Sequence, residues 1–198
     1  MTPQEIANIL DEHEKWLSRA HSGSRANLAR ANLSGFTLEK VNLKSAKMSG
    51  ANLQKTILVG SNLSHTDLFC AVLDGADLRD ADLQNADLRG ASIRNVAFKG
   101  ANLVGADFRG GTLMFGTDDD EGQRDGPTSN QQGADLSYSA MPNASLAGAH
   151  LAGANLSGVN LRNADLKGAD LSNCVLVEAD LSGADLQDAN LSGARLDN

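Results

Sequence analysis

The sequence has little cysteine, and the two residues present are not arranged as a site. Cys70 and Cys174 are the only cysteines among 198 residues, and neither belongs to a CxxC motif or a His/Cys cluster. This excludes a disulfide framework and a zinc site of the usual spacing. We therefore predict two free thiols.

Long apolar runs and an excess of basic charge are also absent. No stretch is apolar for long enough to span a membrane, and the opening MTPQEIANILDEHEKW is amphipathic rather than a charged-then-apolar leader. We expect a soluble, cytoplasmic protein that does not contact membranes. The formal net charge of −8 argues against direct binding of nucleic acid, whose phosphates attract a basic surface.

No arrangement of residues indicates catalysis. The four histidines, His13, His21, His65 and His150, are scattered and lack a clear nucleophile, metal-ligand spacing or phosphate-cradling glycine loop. Carboxylates are plentiful, but they recur in one similar exposed setting, whereas a catalytic pair needs two different environments. We predict a non-enzymatic protein with no metal and no cofactor.

What the sequence does have is a five-residue repeat, clearest in Ala76 to Gly90, which reads ADLRD-ADLQN-ADLRG. A period of five fits neither a helix nor a two-residue strand alternation. The chain must turn every five residues. Ala and Leu, two apart, can then both face inward while Asp faces water, as in a strand of about three residues.

The repeat covers about four fifths of the chain in two registers. One runs through the central residues Leu28 to Leu113 in 18 pentads, and the other runs from Leu136 to Leu196 in 13. Leu fills 26 of these 31 central positions, and Asn or Asp fills 19 of the positions before them. The larger residues Phe98 and Phe108 end two inward columns, either filling the core or widening it, and we favour filling.

This A-(D/N)-L-x-x pattern resembles the pentapeptide-repeat family. The resemblance implies an all-β solenoid, a right-handed, four-sided β-helix in which four pentads make one coil and residue n stacks on n+20. Some bacterial relatives protect DNA gyrase from quinolones by imitating a DNA duplex, while many others have no assigned activity. Fold is thereby implied, and function is left open.

Residues 1–25 are predicted to form an N-terminal cap helix and a linker. Thr2, Pro3 and Glu5 are typical of a helix start with a capping box. An apolar stripe then runs through Ile6, Ile9, Leu10, His13, Trp16 and Leu17. The stripe would cover the first coil, with Trp16 as its largest wedge and Phe36 packing beneath it. A ligand box built from His13 and Trp16 is the less favoured alternative.

The predicted solenoid has two segments, residues 26–115 and 134–198, separated by a polar loop at residues 116–133. Removing the loop places Ala134 directly after Phe115 and restores the five-residue register. Asp118, Asp119, Asp120 and Glu121 lack the ligand order of a calcium loop, so we interpret them as solvated. So long an insertion is nevertheless a candidate for contacting a partner.

Stacking by twenty aligns Asp67, Asp87 and Asp107 on one outward face as a second candidate interaction surface. The row could imitate a phosphate ladder. We favour the alternative that these side chains hydrogen-bond the nearby backbone, with Arg89 and Arg109 partly neutralising their charge.

The predicted function is therefore an interaction scaffold that binds an unidentified protein through its flat faces and loop. The alternative is a DNA mimic that modulates or protects DNA gyrase or another topoisomerase. No capping element follows Leu196 in the sequence, so the expected state is a monomer or a weak homodimer joined through the C-terminal coil.

Overall fold

The computed structural model of the chain describes residues 1–20, 22–109 and 136–196. Within these residues one helix, α1 (Pro3–Leu17), precedes a solenoid whose β-structure consists of isolated parallel bridges. From Asn27 to Asp107 each bridge joins residues 20 apart, beginning with Asn27 and Lys47. Four pentads therefore complete one coil, which confirms the predicted stacking.

The coil has four sides because it contains four pentads, and the second residue of each pentad belongs to a separate column of bridges. We number the sides by their members in the first coil: Asn27 on side 1, Asn32 on side 2, Thr37 on side 3 and Asn42 on side 4. The column on side 1 continues through Lys47, Asp67, Asp87, Asp107, His150, Asp170 and Asn190. At roughly 4.8 Å per level, this column is about 34 Å tall.

The hydrogen bonds explain why each side pairs through a single residue. The Leu28 N–H donates to the Lys47 carbonyl at 2.7 Å, and the Lys47 N–H donates to the Ala26 carbonyl at 3.0 Å. The chain then turns: the Ala31 N–H donates back to Leu28 at 3.0 Å, and Arg30 has a φ of 58°. This is the pattern of a type II turn. The expected three-residue strand is thus reduced to one bridged residue between two corners.

The inward residues form one continuous core. Most central leucines are fully buried, and Phe98 and Phe108 have no exposed surface, so both fill the core. Two small polar residues at the first position of a pentad, Thr56 and Ser61, bond to the coil before them. The Thr56 hydroxyl donates to the Leu33 carbonyl at 2.8 Å, and the Ser61 hydroxyl donates to the Leu38 carbonyl at 2.7 Å. These bonds let a hydroxyl replace Ala without leaving a buried polar group unpaired.

Helix α1 begins with the predicted capping box. The Glu5 N–H donates to Thr2 Oγ1 at 3.3 Å, and the Thr2 N–H donates to Glu5 Oε2 at 2.8 Å. Ile6 is buried in the same apolar cluster as the coil leucines, and Ile9, Leu10 and Phe36 pack against that cluster. The apolar stripe of the helix therefore faces the solenoid.

The bridges continue after residues 110–135, but the partners there are 43 residues apart: Ala97 with Ala140, Asn102 with Ser145, and Asp107 with His150. This is 23 more than one coil, whereas removal of the predicted 18-residue loop would give a spacing of 38. The pairing is therefore shifted by one pentad from the sequence register. Leu136 lies beside Ile93, whereas the sequence register would place Leu113 there. Consistent with this pairing, Ser139 Oγ donates to the Ile93 carbonyl at 2.6 Å. The predicted boundaries at residues 115 and 134 lie outside the described residues.

This register can be tested by cross-linking. Bridged residues are close enough for a disulfide, which needs a Cα separation of about 4.4–6.8 Å. We expect Asn102→Cys with Ser145→Cys to form a disulfide readily under mild oxidation. Asn102→Cys with Ala140→Cys should not, because Ala140 lies on side 3. Peptide mass mapping distinguishes these bonds from any involving Cys70 or Cys174. Preferential linkage of residues 102 and 140 would support the 38-residue register instead.

Candidate interaction surfaces

The Asn and Asp residues that face outward are bonded to their own backbone. Each described Asn or Asp at the second position of a pentad accepts a hydrogen bond, through Oδ1, from the N–H two residues later. These residues are Asn27, Asn32, Asn42, Asn52, Asn62, Asp67, Asp77, Asp82, Asp87, Asn102, Asp107, Asn155, Asn160, Asp165, Asp170, Asp180, Asp185 and Asn190. These Asx-type bonds support the corner that follows each bridge.

Asp67, Asp87 and Asp107 do stack on successive levels of side 1. Their charge, however, is largely offset by two neighbouring arginines. Arg89 Nη2 lies 2.7 Å from Asp87 Oδ2, and Arg109 Nη2 lies 2.6 Å from Asp107 Oδ2. Arg89 Nε is also 3.8 Å from Asp107, and its guanidinium lies 5.7 Å from the centre of the Phe69 ring. Asp87 and Asp107 are therefore ion-paired, and the row is not a continuous ladder of negative charge.

The ion pairs also appear in the titration of the row. Burial alone would raise the pKa of the Asp107 carboxyl, but the hydrogen bonds from Arg109 outweigh it, and the pKa lies below its usual value. The side-chain hydrogen bond to Asp87 raises the pKa of Arg89. Asp107 and its arginine therefore remain charged and paired at neutral pH.

A substitution at Asp67 separates the backbone role from the charge. Asp67 Oδ1 accepts the Phe69 N–H at 3.2 Å. Asn can accept the same bond, so Asp67→Asn should change the free energy of unfolding by less than about 0.5 kcal/mol. Asp67→Ala removes the acceptor and should cost about 1 kcal/mol. Thermal unfolding at moderate salt measures both. Equal losses in the two variants would mean that the charge, rather than the backbone bond, stabilises the corner.

Sequence reasoning missed a carboxylate that joins two coils. Asp74 accepts the Ser92 hydroxyl at 2.7 Å and the Arg94 N–H at 3.0 Å, and its other oxygen lies 2.8 Å from Arg94 Nη2. Burial alone would raise the pKa of Asp74, but these hydrogen bonds outweigh it and the pKa is lowered. The twenty-residue spacing of Asp74 and Arg94 is the signal that could have identified the pair.

A second feature missed from the sequence is Tyr138, the first aromatic residue described after the interruption. It lies at a corner with a φ of 57°, and 63% of its surface is exposed. Its ring covers Gly158 so closely that an added Cβ there would come within 2.6 Å of ring carbons. Position 158 must therefore remain Gly for the ring to lie in this position. The predicted loop residues Asp118, Asp119, Asp120 and Glu121 lie outside the described residues.

His13, rather than Trp16, is the buried ring where α1 meets the first coil. Trp16 is 37% exposed and stacks on the His13 imidazole, with the ring centres 5.4 Å apart, while His13 has no exposed surface. The Ala26 N–H donates to His13 Nδ1, and Nε2 lies against the Lys44 carbonyl, both at 3.1 Å. Because Nδ1 is an acceptor, the proton must be on Nε2. The neutral ring thus joins both ends of the first coil to α1.

This contact should make stability depend on pH. Burial lowers the pKa of His13 below its ordinary value of 6.5, although the bond to Lys44 opposes this shift. Folding therefore favours the neutral ring. This contribution is complete above about pH 6.5 and is lost as the pH falls through the folded value. His13→Phe keeps the stacking but leaves two backbone groups without hydrogen-bond partners. It should therefore lower the free energy of unfolding by about 2–4 kcal/mol at pH 8.

The measurement is the melting temperature of both proteins between pH 8 and pH 5. The difference between them should shrink as the pH falls, and Trp16 fluorescence, from the only tryptophan, should report the same change. His150→Gln is the control because His150 is exposed on side 1. A difference that stays constant with pH would contradict the assigned tautomer.

In the part of the chain that the structure describes, the remaining reactive groups form no recognisable chemical site. Among the described residues no three His, Cys, Asp or Glu side chains are grouped as metal ligands. Burial raises the pKa of the Cys174 thiol to about 11, and the thiol donates to the Leu151 carbonyl. Burial also raises the pKa of Cys70. Both thiols are free and are predominantly protonated at neutral pH.

The geometry defines a tandem-repeat β-solenoid, with one bridge per side and four pentads per coil. The family model for pentapeptide repeats matches residues 24–58, 46–85, 71–110, 132–168 and 164–198. The chain belongs to the pentapeptide-repeat family. Membership implies the right-handed, four-sided β-helix of these proteins. Among curated protein sequences, none matches this chain.

Several solved structures are similar to this chain. QnrB1, a plasmid-mediated fluoroquinolone resistance protein, is 23% identical over 87% of this chain and 90% of its own, with a TM-score of 0.49. HetL from the cyanobacterium Nostoc sp. strain PCC 7120, involved in heterocyst differentiation regulation, is 25% identical over 98% and 96%, with a TM-score of 0.24. A thylakoid-lumen protein from Arabidopsis thaliana is 27% identical over 63% and 67%, with a TM-score of 0.28. Similarity at this level transfers neither a partner nor a compartment to this chain.

No helix in the described part of the chain is both long and apolar enough to cross a membrane.

Proposed function

We propose that this protein is a non-enzymatic scaffold that binds a protein partner through its flat sides and the inserted segment at residues 116–133. The observation that carries the proposal is the continued pairing of Ala97 with Ala140, Asn102 with Ser145, and Asp107 with His150. The coil accommodates 23 extra residues without losing its bridges on three sides. Insertions of this length are uncommon in compact proteins unless they are functional or disordered.

Tyr138 supports this assignment. It is the most exposed of the large apolar side chains in the described residues, and it lies at the corner where the solenoid resumes. Tyrosine is enriched among residues that dominate protein interfaces, because its ring buries a large area at low entropic cost. Tyr138 is close in sequence to the inserted segment, and its exposed ring would add to the surface that a partner contacts.

The absence of a catalytic role is part of the proposal. Proteins of this family are generally scaffolds, and the outward carboxylates on the repeat are occupied by backbone bonds and ion pairs. We place the protein in the cytoplasm, as a monomer or as a weak homodimer joined through its C-terminal coil. Within it, α1 serves as the cap of the first coil, and His13 and Ile6 hold it in place.

The second candidate is a DNA mimic that binds a type II topoisomerase. The stacking of Asp67, Asp87 and Asp107 on one side favours it. A duplex imitation requires a sustained negative field along its length, because that field guides association with a DNA-binding groove. Arg89 and Arg109 reduce the field along this row. We therefore rank the general scaffold first.

The scaffold is tested with a photo-crosslinking amino acid placed at position 138 in the protein expressed in its source cells. Position 85, an exposed corner on another edge, is the matched control. We expect one discrete crosslinked species from position 138 that is absent from position 85. It should also disappear when residues 116–133 are replaced by a short linker. The same products from both positions, or none from position 138, would contradict the scaffold with this contact surface.

The mimic is tested by a gyrase supercoiling assay with and without a quinolone. We expect no inhibition and no protection at high protein concentration. Activity at low micromolar protein, lost when Asp67, Asp87 and Asp107 are all changed to Asn, would reverse the ranking. The Asn residues keep the backbone bonds, so the variant should remain folded.

A further inference from the structure

We propose that side 1 of the first two coils is a docking surface for an acidic segment of a partner protein. This part of the surface contains Arg25, Arg30, Lys44 and Lys47, and residues 24–30 and 44–50 include no Asp or Glu. The proposal specifies the chemistry of the partner, and it therefore rests on the function of a protein-binding scaffold proposed above.

The fold places these four cations together. Arg25 lies at the corner before side 1, where its Nε–H donates to the Ser45 carbonyl, next to Lys44. Lys47 is bridged to Asn27 in the middle of the side. Arg30 lies at the opposite corner, where its Cγ would be 3.5 Å from a Cβ added to Gly50. The cations therefore reach from one corner of the side to the other over two adjacent levels.

These four cations are less paired than the cations of the later coils. All four side chains are exposed, and none forms an ion pair within the described residues. Asp67, which is bridged to Lys47 on the third coil, is the nearest carboxylate of side 1, but the two side chains form no ion pair within the described residues, and Asp67 Oδ1 accepts the Phe69 N–H. The later coils differ, since ion pairs there include Arg79, Arg89, Arg94, Arg109, Arg162 and Lys167. Carboxylates from a partner would supply the missing complement.

A cavity of about 280 Å³ lies between α1 and the first coil, beside one of the four cations. Ile9 and Ala26 give it an apolar part, and Arg25 lies at its wall with Asn8, Glu12, Ser24 and Asn27. Glu12 is bonded to Lys15 at 2.9 Å. The cavity is large enough for an aliphatic side chain. The preferred segment therefore combines several carboxylates with a residue such as Leu.

The extent of the surface favours a short acidic peptide over a nucleic acid. A duplex carries one negative charge per roughly 1.7 Å of its axis. Lying along side 1, it would extend beyond the cations to Asp67 and to the Asp87–Arg89 and Asp107–Arg109 ion pairs, which provide no net positive charge for its phosphates. A peptide segment with three or four carboxylates could pair all of them with the cations on two levels of the solenoid.

The probe is a fluorescein-labelled synthetic peptide, Glu-Glu-Leu-Glu-Glu-Leu-Glu-Glu, whose binding to the full-length protein is measured by fluorescence anisotropy. Lys44→Glu with Lys47→Glu should weaken binding at least tenfold. Lys55→Glu with Lys99→Glu is the matched control, because it reverses the same number of charges at two exposed corners that do not border side 1. It should weaken binding less than twofold. Changing both Leu residues of the peptide to Ser should weaken binding several-fold, and circular dichroism checks that each variant is folded.

Equal losses from the two charge reversals would overturn the proposal in favour of a general charge effect. Tighter binding of a twelve-base-pair duplex than of the peptide would overturn it in favour of nucleic acid. No peptide binding, together with a discrete crosslink from position 138, would reject this surface while leaving the scaffold function intact. Loss of both signals would reject the two together.

Discussion

The solenoid depends on a backbone conformation that most residues avoid. Every coil needs four corners, and the fifth residue of each described pentad that reaches a corner has a positive φ, including Lys55 at 55° and Asn85 at 54°. Such a conformation costs an ordinary L-residue about 1–2 kcal/mol. Gly and Asn occupy many of these positions, where the cost is smaller. The Asx-type bond from the second residue of the pentad and the ladder to the next coil offset the remainder, which explains why Asn and Asp recur where they do.

Much of this arrangement follows from the sequence because it depends on local chemistry. The five-residue period predicts the inward Leu column, the resemblance to the pentapeptide-repeat family implies four sides, and Thr2 and Glu5 predict the capping box of α1; the structure confirms all three. The pairing after the interruption could not be predicted, because Leu113 and Leu136 both fit the five-residue register and either could occupy the place beside Ile93. The choice depends on contacts between distant residues, such as the bond from Ser139 to Ile93. His13 was assigned to the correct face of α1, but only the folded structure shows that both of its ring nitrogens have backbone partners.

The same repeat also shapes the distribution of charge. Stacking places each carboxylate near side chains two residues away and twenty residues away. Asp77 therefore forms an ion pair with Arg79, and Asp74 forms one with Arg94. The central coils are therefore locally balanced despite the acidic total. On side 1 of the first two coils, by contrast, the cations form no ion pair within the described residues. The two ends of a side therefore differ in charge. A charged partner of such a scaffold would bind in one orientation, because it can distinguish one end of the side from the other.

The hydrogen bonds between coils run along the axis of the rod, and this determines how the rod would respond to force. Tension along the axis loads the bonds between neighbouring levels directly, so coils would detach in sequence from an end. Each event would release about twenty residues, on the order of 70 Å of chain. The bonds across α1, through His13 to Ala26 and Lys44, also join separate levels of the chain to the helix. Detachment at that end would therefore first require separation of the helix, so these two hydrogen bonds add to the force that the first coil can resist.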